Sequence, residues 1–263
     1  MKETIIIMNR ELLQMSELIL SANRFFQTSD EYDCVNLTDI RSLVFDFESA
    51  GTQNRTVADG TAAWERELIA RGAKKLFLFV QPSVSDLQTL ALANGVEKMG
   101  MVSVYETHSS MWLRNWKFDD ESKQWDIVYR EYSNPTGRMF EIDNDKYYMR
   151  VSFLKETLLE IKTMAETFGL SEWAERFDRG YRLIDGATLT PAAELPLKEF
   201  LRDEACAQII DALTWSWVFG GQGSWTDEAL VRAKELDKEE AYRKLTYALY
   251  QNCLYSLMYC INL

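Results

Sequence analysis

Histidine is almost missing from this chain: His108 is the only one among 263 residues. Without a second imidazole there is no H-x-x-x-H pair. The four cysteines, Cys34, Cys206, Cys253 and Cys260, contain no C-x-x-C spacing either, so any metal would have to rest on carboxylates, and none is expected. No G-x-S-x-G elbow precedes a serine, and His108-Ser109-Ser110 therefore reads as a turn with an exposed or capped imidazole rather than the base of a nucleophilic triad. Cys206, Cys253 and Cys260 lie in apolar helical surroundings, which points to reduced, core-filling thiols in a cytoplasmic protein. The opening run Met1-Lys2-Glu3-Thr4, followed by only Ile5 to Met8, is too short and too polar for a signal peptide. Charge is missing altogether from Leu245 to Leu263. Five polar residues, from Thr246 to Asn262, and tyrosines at 247, 250, 255 and 259 make lipid burial of that stretch costly, so it is predicted to be a buried helix and no membrane association is expected.

What the chain has in excess is negative charge, with 41 acidic against 29 basic residues and a formal net charge of −12, shared by both halves. Such a chain gains nothing from counterion release on DNA or RNA, and nucleic acid is excluded as a general partner. A basic protein would be steered towards it. A hydrophobic fraction of 47% is enough for a real core.

The apolar spacing divides the chain into an α+β region, residues 1–150, and a helical region, residues 151–263. Met8, Leu12, Met15, Ile19, Ala22 and Phe26 predict a helix over 9–27. Strands are expected at 43–47, 75–81 and 101–107, alternating with helices at 61–71 and 85–93, which gives a mixed sheet with helices on one face. From Ser110 the period becomes two. Trp112, Arg114, Trp116 and Phe118 share one face, Asp119 to Gln124 turn, and Trp125, Ile127 and Tyr129 alternate back as an antiparallel hairpin. Two further strands, 138–142 and 147–151, would join through the turn Asp143 to Lys146 and complete a meander. Beyond them the pattern predicts helices at 154–168 and from Ser171, one long helix over 197–218, and helices over 226–236 and 238–260, forming a bundle.

Two places could carry function. Gly220, Gly221 and Gly223 sit in the run Trp217 to Asp227, between two helical patterns. A phosphate loop would need a Lys before Ser224, and a dinucleotide fingerprint would need a preceding strand, so no cofactor is expected. The alternative is a structural turn in which Gly220 or Gly221 ends one helix, Ser224 caps the next and Asp227 closes a capping box. The second place is the aromatic meander, where Trp112, Trp116, Trp125, Tyr129, Tyr132, Tyr147 and Tyr148 interleave with Arg114, Lys117 and Arg130. One face should cover the helices, and an outward aromatic face would suit a protein partner. Asp119-Asp120-Glu121 and Asp143-x-Asp145 fall where hairpins turn and read as solvated turn formers.

The run Phe219 to Asp227, following a Trp-rich helix and preceding a helix with a Tyr-rich continuation, resembles a turn in a group of uncharacterised bacterial proteins. These carry Gly-Gly-x-Gly-Ser-aromatic-x-Asp within a small helical domain, matched here by Gly220, Gly221, Gly223, Ser224, Trp225 and Asp227. Some are immunity-type or accessory proteins, and the resemblance implies a binding role for residues 151–263. The expected function is a non-enzymatic factor that masks a basic protein partner with an acidic and aromatic surface. The competing expectation is an enzyme whose site lies where the Gly220–Asp227 turn meets the α+β half. A homodimer seam along the uncharged C-terminal helix is a third.

Overall fold

Alternating apolar and polar residues over 109–133 build a hairpin whose register runs from Ser110↔Ser133 to Asp119↔Gln124, and this hairpin forms the middle of a six-stranded sheet. The computed structural model describes residues 9–28, 38–48, 56–81, 98–133, 144–220 and 223–263. Within them the order is α1 (Arg10–Thr28), β1 (Ile40–Phe47), β2 (Thr56–Asp59), α2 (Thr61–Ala70), β3 (Lys75–Gln81), β4 (Lys98–Val104), β5 (Ser109–Asp119) and β6 (Gln124–Ser133). Helices follow: α3 (Asn144–Thr167), α4 (Ser171–Ile184), a 3-10 turn (Pro196–Phe200), α5 (Glu204–Ser216), α6 (Trp225–Glu235) and α7 (Glu239–Asn262). The strand order is β2-β1-β6-β5-β4-β3, antiparallel throughout except for the parallel β1–β6 pair. The fold is α+β, with the mixed sheet in the first half and the helices in the second.

One face of the sheet carries the core. Phe45 stacks between Trp64 of α2 and Tyr129 of β6, with ring centroids 4.4 and 5.4 Å away, and Trp112 meets Trp64 and Phe47 edge-on at 5.8 and 4.8 Å. Leu12, Met15, Leu18, Ile19 and Ala22 recur every three or four residues along α1 and are all fully buried. The cluster continues through Leu154, Leu158 and Ile161 of α3 to Leu254 and Ile261 of α7, so buried side chains from both halves of the chain meet in one apolar interior.

No residue from Leu245 to Leu263 is exposed, and α7 packs against α3, α5, α6 and β3. Among the described residues no helix is long and apolar enough to cross a membrane. Tight packing is helped by Gly180 of α4, where a Cβ would stand only 2.6 Å from Ser216 Oγ of α5.

The edge of β3 is closed by two side-chain amides. Asn23 of α1 accepts from the Leu76 N–H at 2.7 Å and donates to the Leu76 carbonyl at 2.9 Å. Asn262 of α7 does the same for Leu78, at 2.6 and 2.9 Å. Lys75 Nζ adds a contact to the Asn262 carbonyl at 3.1 Å. Backbone groups that would otherwise face outward unpaired are thus satisfied.

Three sequence expectations are corrected. Residues 147–151, expected as a strand, belong to α3, because Val151 starts the buried 3–4 spacing that continues through Leu154 and Leu158. The single helix over 197–218 is interrupted: Leu201 is extended, and Asp203 caps α5 by accepting from the Cys206 N–H at 2.9 Å. That helix also ends early, at Ser216, because Trp217, Val218 and Phe219 leave it to enter the core, the two rings lying 6.1 and 5.0 Å from Tyr250. The strand expected at 138–142, the helix at 85–93, Cys34, Asp143 and Gly221 lie outside the described residues.

Candidate functional site

The glycine-rich turn is held by its own hydroxyls. Ser224 Oγ and Thr226 Oγ1 both donate to the Gly220 carbonyl, at 3.0 and 2.9 Å. Gly223 has φ +76°, a left-handed conformation that suits glycine and strains other residues. Ser224 occupies the N-cap position of α6, yet its side chain makes no cap hydrogen bond. The expected capping box is therefore displaced: Asp227 accepts from the N–H of Gly223, at 3.0 Å, one residue before the cap. The Gly220 carbonyl, freed by the early end of α5, is what draws the serine hydroxyl away. Trp225 is fully buried among Phe168, Phe177 and Tyr242, and its indole donates to Thr246 Oγ1 at 2.9 Å. The polar groups of Gly220, Gly223, Ser224 and Asp227 are thus bonded within the turn.

His108 is exposed on the β4–β5 turn, with its ring stacked on Tyr105 at 4.4 Å. Among the described residues no hydrogen bond or ring contact links it to Ser224 or Asp227. Beneath it lies a buried polar cluster that corresponds to no local sequence motif. Glu131, 6% exposed, accepts from Ser110 Oγ and, at 2.9 Å, from Tyr105 Oη, while its second oxygen accepts from the Glu48 N–H at 3.2 Å. Ser103 Oγ completes the set, 3.1 Å from Ser110 Oγ and accepting from the Trp112 indole at 3.0 Å. Arg71 stands 3.8 Å from Glu131. The signal was in the period: Glu131 follows Ile127 and Tyr129 at even spacing and so points inward.

Burial first, and the Glu131 charge second, push the Tyr105 phenol up to about 12. A phenol whose pKa is higher in the folded chain contributes stability that is complete below its ordinary value near 10 and is lost as pH rises through about 12. Tyr105→Phe is accordingly expected to flatten the fall in stability between pH 10 and pH 12, as followed by urea denaturation at stepped pH. Parallel curves for the two proteins would contradict this assignment.

The aromatic residues of the hairpin divide into two sets. Trp112 is fully buried in the core and offers no surface to a partner. Trp116, Phe118 and Trp125 lie on the same face nearer the hairpin end, with Trp125 5.5 Å from Trp116 and 4.9 Å from Phe118. Phe118 is 40% exposed and both indoles are half-buried. Arg10 at the start of α1 sits 6.0 Å above the Trp116 ring and donates to the Thr38 carbonyl at 2.6 Å. A guanidinium therefore already rests against this cluster.

Carboxylates rim it. Asp119 accepts from the Glu121 N–H at 3.1 Å and from Ser122 Oγ at 2.9 Å, which lowers its pKa and shows the expected acidic turn at work. Arg41 bridges Asp119 and Asp126 across strands β1 and β6, and hydrogen bonds from Arg41 and Ser42 hold Asp126 down at about 2. Asp120 and Glu121 project into solvent, and Asp120 pairs with the likewise exposed Lys123 at 3.6 Å, a weak contact in water. Asp39, 61% exposed, stands 3.9 Å from Arg10.

Two cavities among the described residues lie elsewhere, along α4. They measure about 460 and 280 Å³ and share Glu175 and Asp178, which are tied to Arg179 and Lys162 at 2.5 and 2.7 Å. Among the described residues no group of three or more His, Cys, Asp or Glu is arranged to hold a metal. No family of known proteins, no curated protein and no solved structure matches the chain.

Proposed function

We propose that the chain is a non-enzymatic binding protein, of immunity type, that masks a basic protein partner with the end of the β5–β6 hairpin. The observation that carries this reading is the cluster of Trp116, Phe118 and Trp125, partly open to solvent and rimmed by Asp39, Asp120 and Glu121. Half-buried indoles give large apolar contact at small loss of side-chain freedom, and Trp with Tyr and Arg dominates the residues whose truncation costs most in interfaces. Arg10 over Trp116 is an intramolecular example of the cationic contact a partner would make. The net charge of −12 supplies long-range attraction, which speeds encounter and fades with salt.

The test is affinity isolation from the native cell at low and high salt, followed by titration of the captured protein. A basic protein in stoichiometric amount is expected. Trp116→Ala should weaken it by about 30-fold or more, the loss of roughly 2 kcal/mol typical of an anchor residue. Asp120→Asn with Glu121→Gln should slow association and flatten its salt dependence while leaving dissociation nearly unchanged. An interaction indifferent to both changes, or to ionic strength, would count against this surface.

A further inference from the structure

Residues 148–153 of α3 and the last turns of α7 present a second surface, of different character and separate from the hairpin. Tyr148, Met149 and Phe153 of α3 are 61, 55 and 39% exposed. Tyr148 lies 6.0 Å from Tyr259 of α7. Arg150 of α3 is held against two rings, 4.8 Å from the Tyr255 centroid and 5.8 Å from that of Phe153. Among the described residues Arg150 has no hydrogen bond and no ion pair, whereas most other arginines here, such as Arg41, Arg71 and Arg130, are matched to a carboxylate. A guanidinium positioned by aromatic rings keeps its N–H groups available for two parallel bonds to a carboxylate.

We infer that Tyr148, Met149, Arg150, Phe153, Tyr255 and Tyr259 form a docking surface for an acidic peptide segment in which an aromatic or aliphatic side chain neighbours a carboxylate. The carboxylate pairs with Arg150, and the apolar side chain covers Tyr148, Met149 and Phe153. Charge decides the occupant: among the described residues the patch's one positive group has rings but no carboxylate against it, so covering the patch with neutral or basic chain would bury or repel it. The molecule's overall negative charge opposes this only weakly at physiological salt, where interactions beyond about 8 Å are largely screened.

The probes are three fluorescein-labelled peptides of equal length in which Phe and Leu alternate with Glu, Gln or Lys, followed by fluorescence anisotropy on the full chain. The Glu peptide is expected to bind saturably and about tenfold more tightly than the Gln peptide, the size of one charge-assisted hydrogen-bonding contact. Arg150→Gln should erase that tenfold preference, and Phe153→Ala should weaken the Glu peptide. Both variants should keep the parent's melting temperature. Trp116→Ala should bind as the parent does, which keeps this outcome separate from that of the hairpin. Equal binding of the Lys or Gln peptide, an unchanged preference in Arg150→Gln, or no binding up to millimolar protein would overturn the inference. So would light scattering that shows a dimer abolished by Phe153→Ala, since the face would then belong to a second copy.

Discussion

Trp225→Ala is expected to lower the stability of the protein by about 3–5 kcal/mol, the range for emptying a large aromatic site in a packed interior. Trp225 is fully buried, and its ring lies 5.1 Å from Phe177, 5.8 Å from Tyr242 and 6.3 Å from Trp173. The same change removes the indole N–H that the fully buried Thr246 Oγ1 accepts at 2.9 Å. Trp225→Phe should recover most of the packing while still lacking that bond, which places it about 1–2 kcal/mol below the parent. Urea denaturation of the three proteins measures both steps. If Trp225→Ala unfolded within 1 kcal/mol of the parent, as a residue kept for ligand contact on a loose turn would, the structural role of this tryptophan would be refuted.

The second large effect is expected at the sheet edge. Replacing Asn262 with Ala leaves the N–H and carbonyl of Leu78 without their partners at 2.6 and 2.9 Å. Each buried backbone group left unpaired costs about 1–3 kcal/mol, so a loss of about 2–4 kcal/mol is expected. Asn262→Asp preserves the shape and can still accept from the N–H, but an ionised carboxylate cannot donate to the carbonyl and would face it with like polarity. It should therefore be no better than Ala at neutral pH and should recover part of its stability in acid. The counterpart Asn23→Ala should cost less, because its bonds to Leu76 are only partly buried. Denaturant midpoints at two pH values discriminate these cases. Equal stability of Asn262→Ala and the parent would mean that solvent reaches this edge.

Much of the fold could be read from residue order because local period and burial agree. Along Trp112 to Phe118 and Trp125 to Tyr129 the alternation of two matches a sheet with one covered face, and the hairpin register follows from it. The uncharged stretch 245–263 was expected to be a buried helix, and none of its residues is exposed, although some, such as Tyr255 and Tyr259, are only half-buried. Tyr147 to Val151 misled because tyrosines and valine favour strands locally, whereas the buried spacing that decides the matter runs from Val151 onward and is helical. Asp203 and the exit of Trp217 from α5 were hidden for a related reason. A cap and an extended core segment both look like continuing helix when only apolar spacing is counted. The parallel β1–β6 pairing, the Asn23 and Asn262 amides and the setting of Glu131 depend on partners 21 to 184 residues away, beyond any local pattern. Of the candidate residues, Trp112, Ser224 and Trp225 proved interior. Trp116 is half-buried, with Arg10 at the start of α1 over its ring.

The bond between Leu78 and Asn262 spans 184 residues. During synthesis, strand β3 is therefore finished long before the amide that closes it exists, and at ordinary elongation rates of roughly 5–20 residues per second the delay is on the order of ten to forty seconds. Through that interval Asn23 can close the border at Leu76 while the N–H and carbonyl of Leu78 wait for Asn262, leaving the kind of surface that recruits a neighbouring chain before its own last helix arrives. Slow maturation and a soluble yield that falls with temperature are the outcomes expected when the final helix locks the first-formed half.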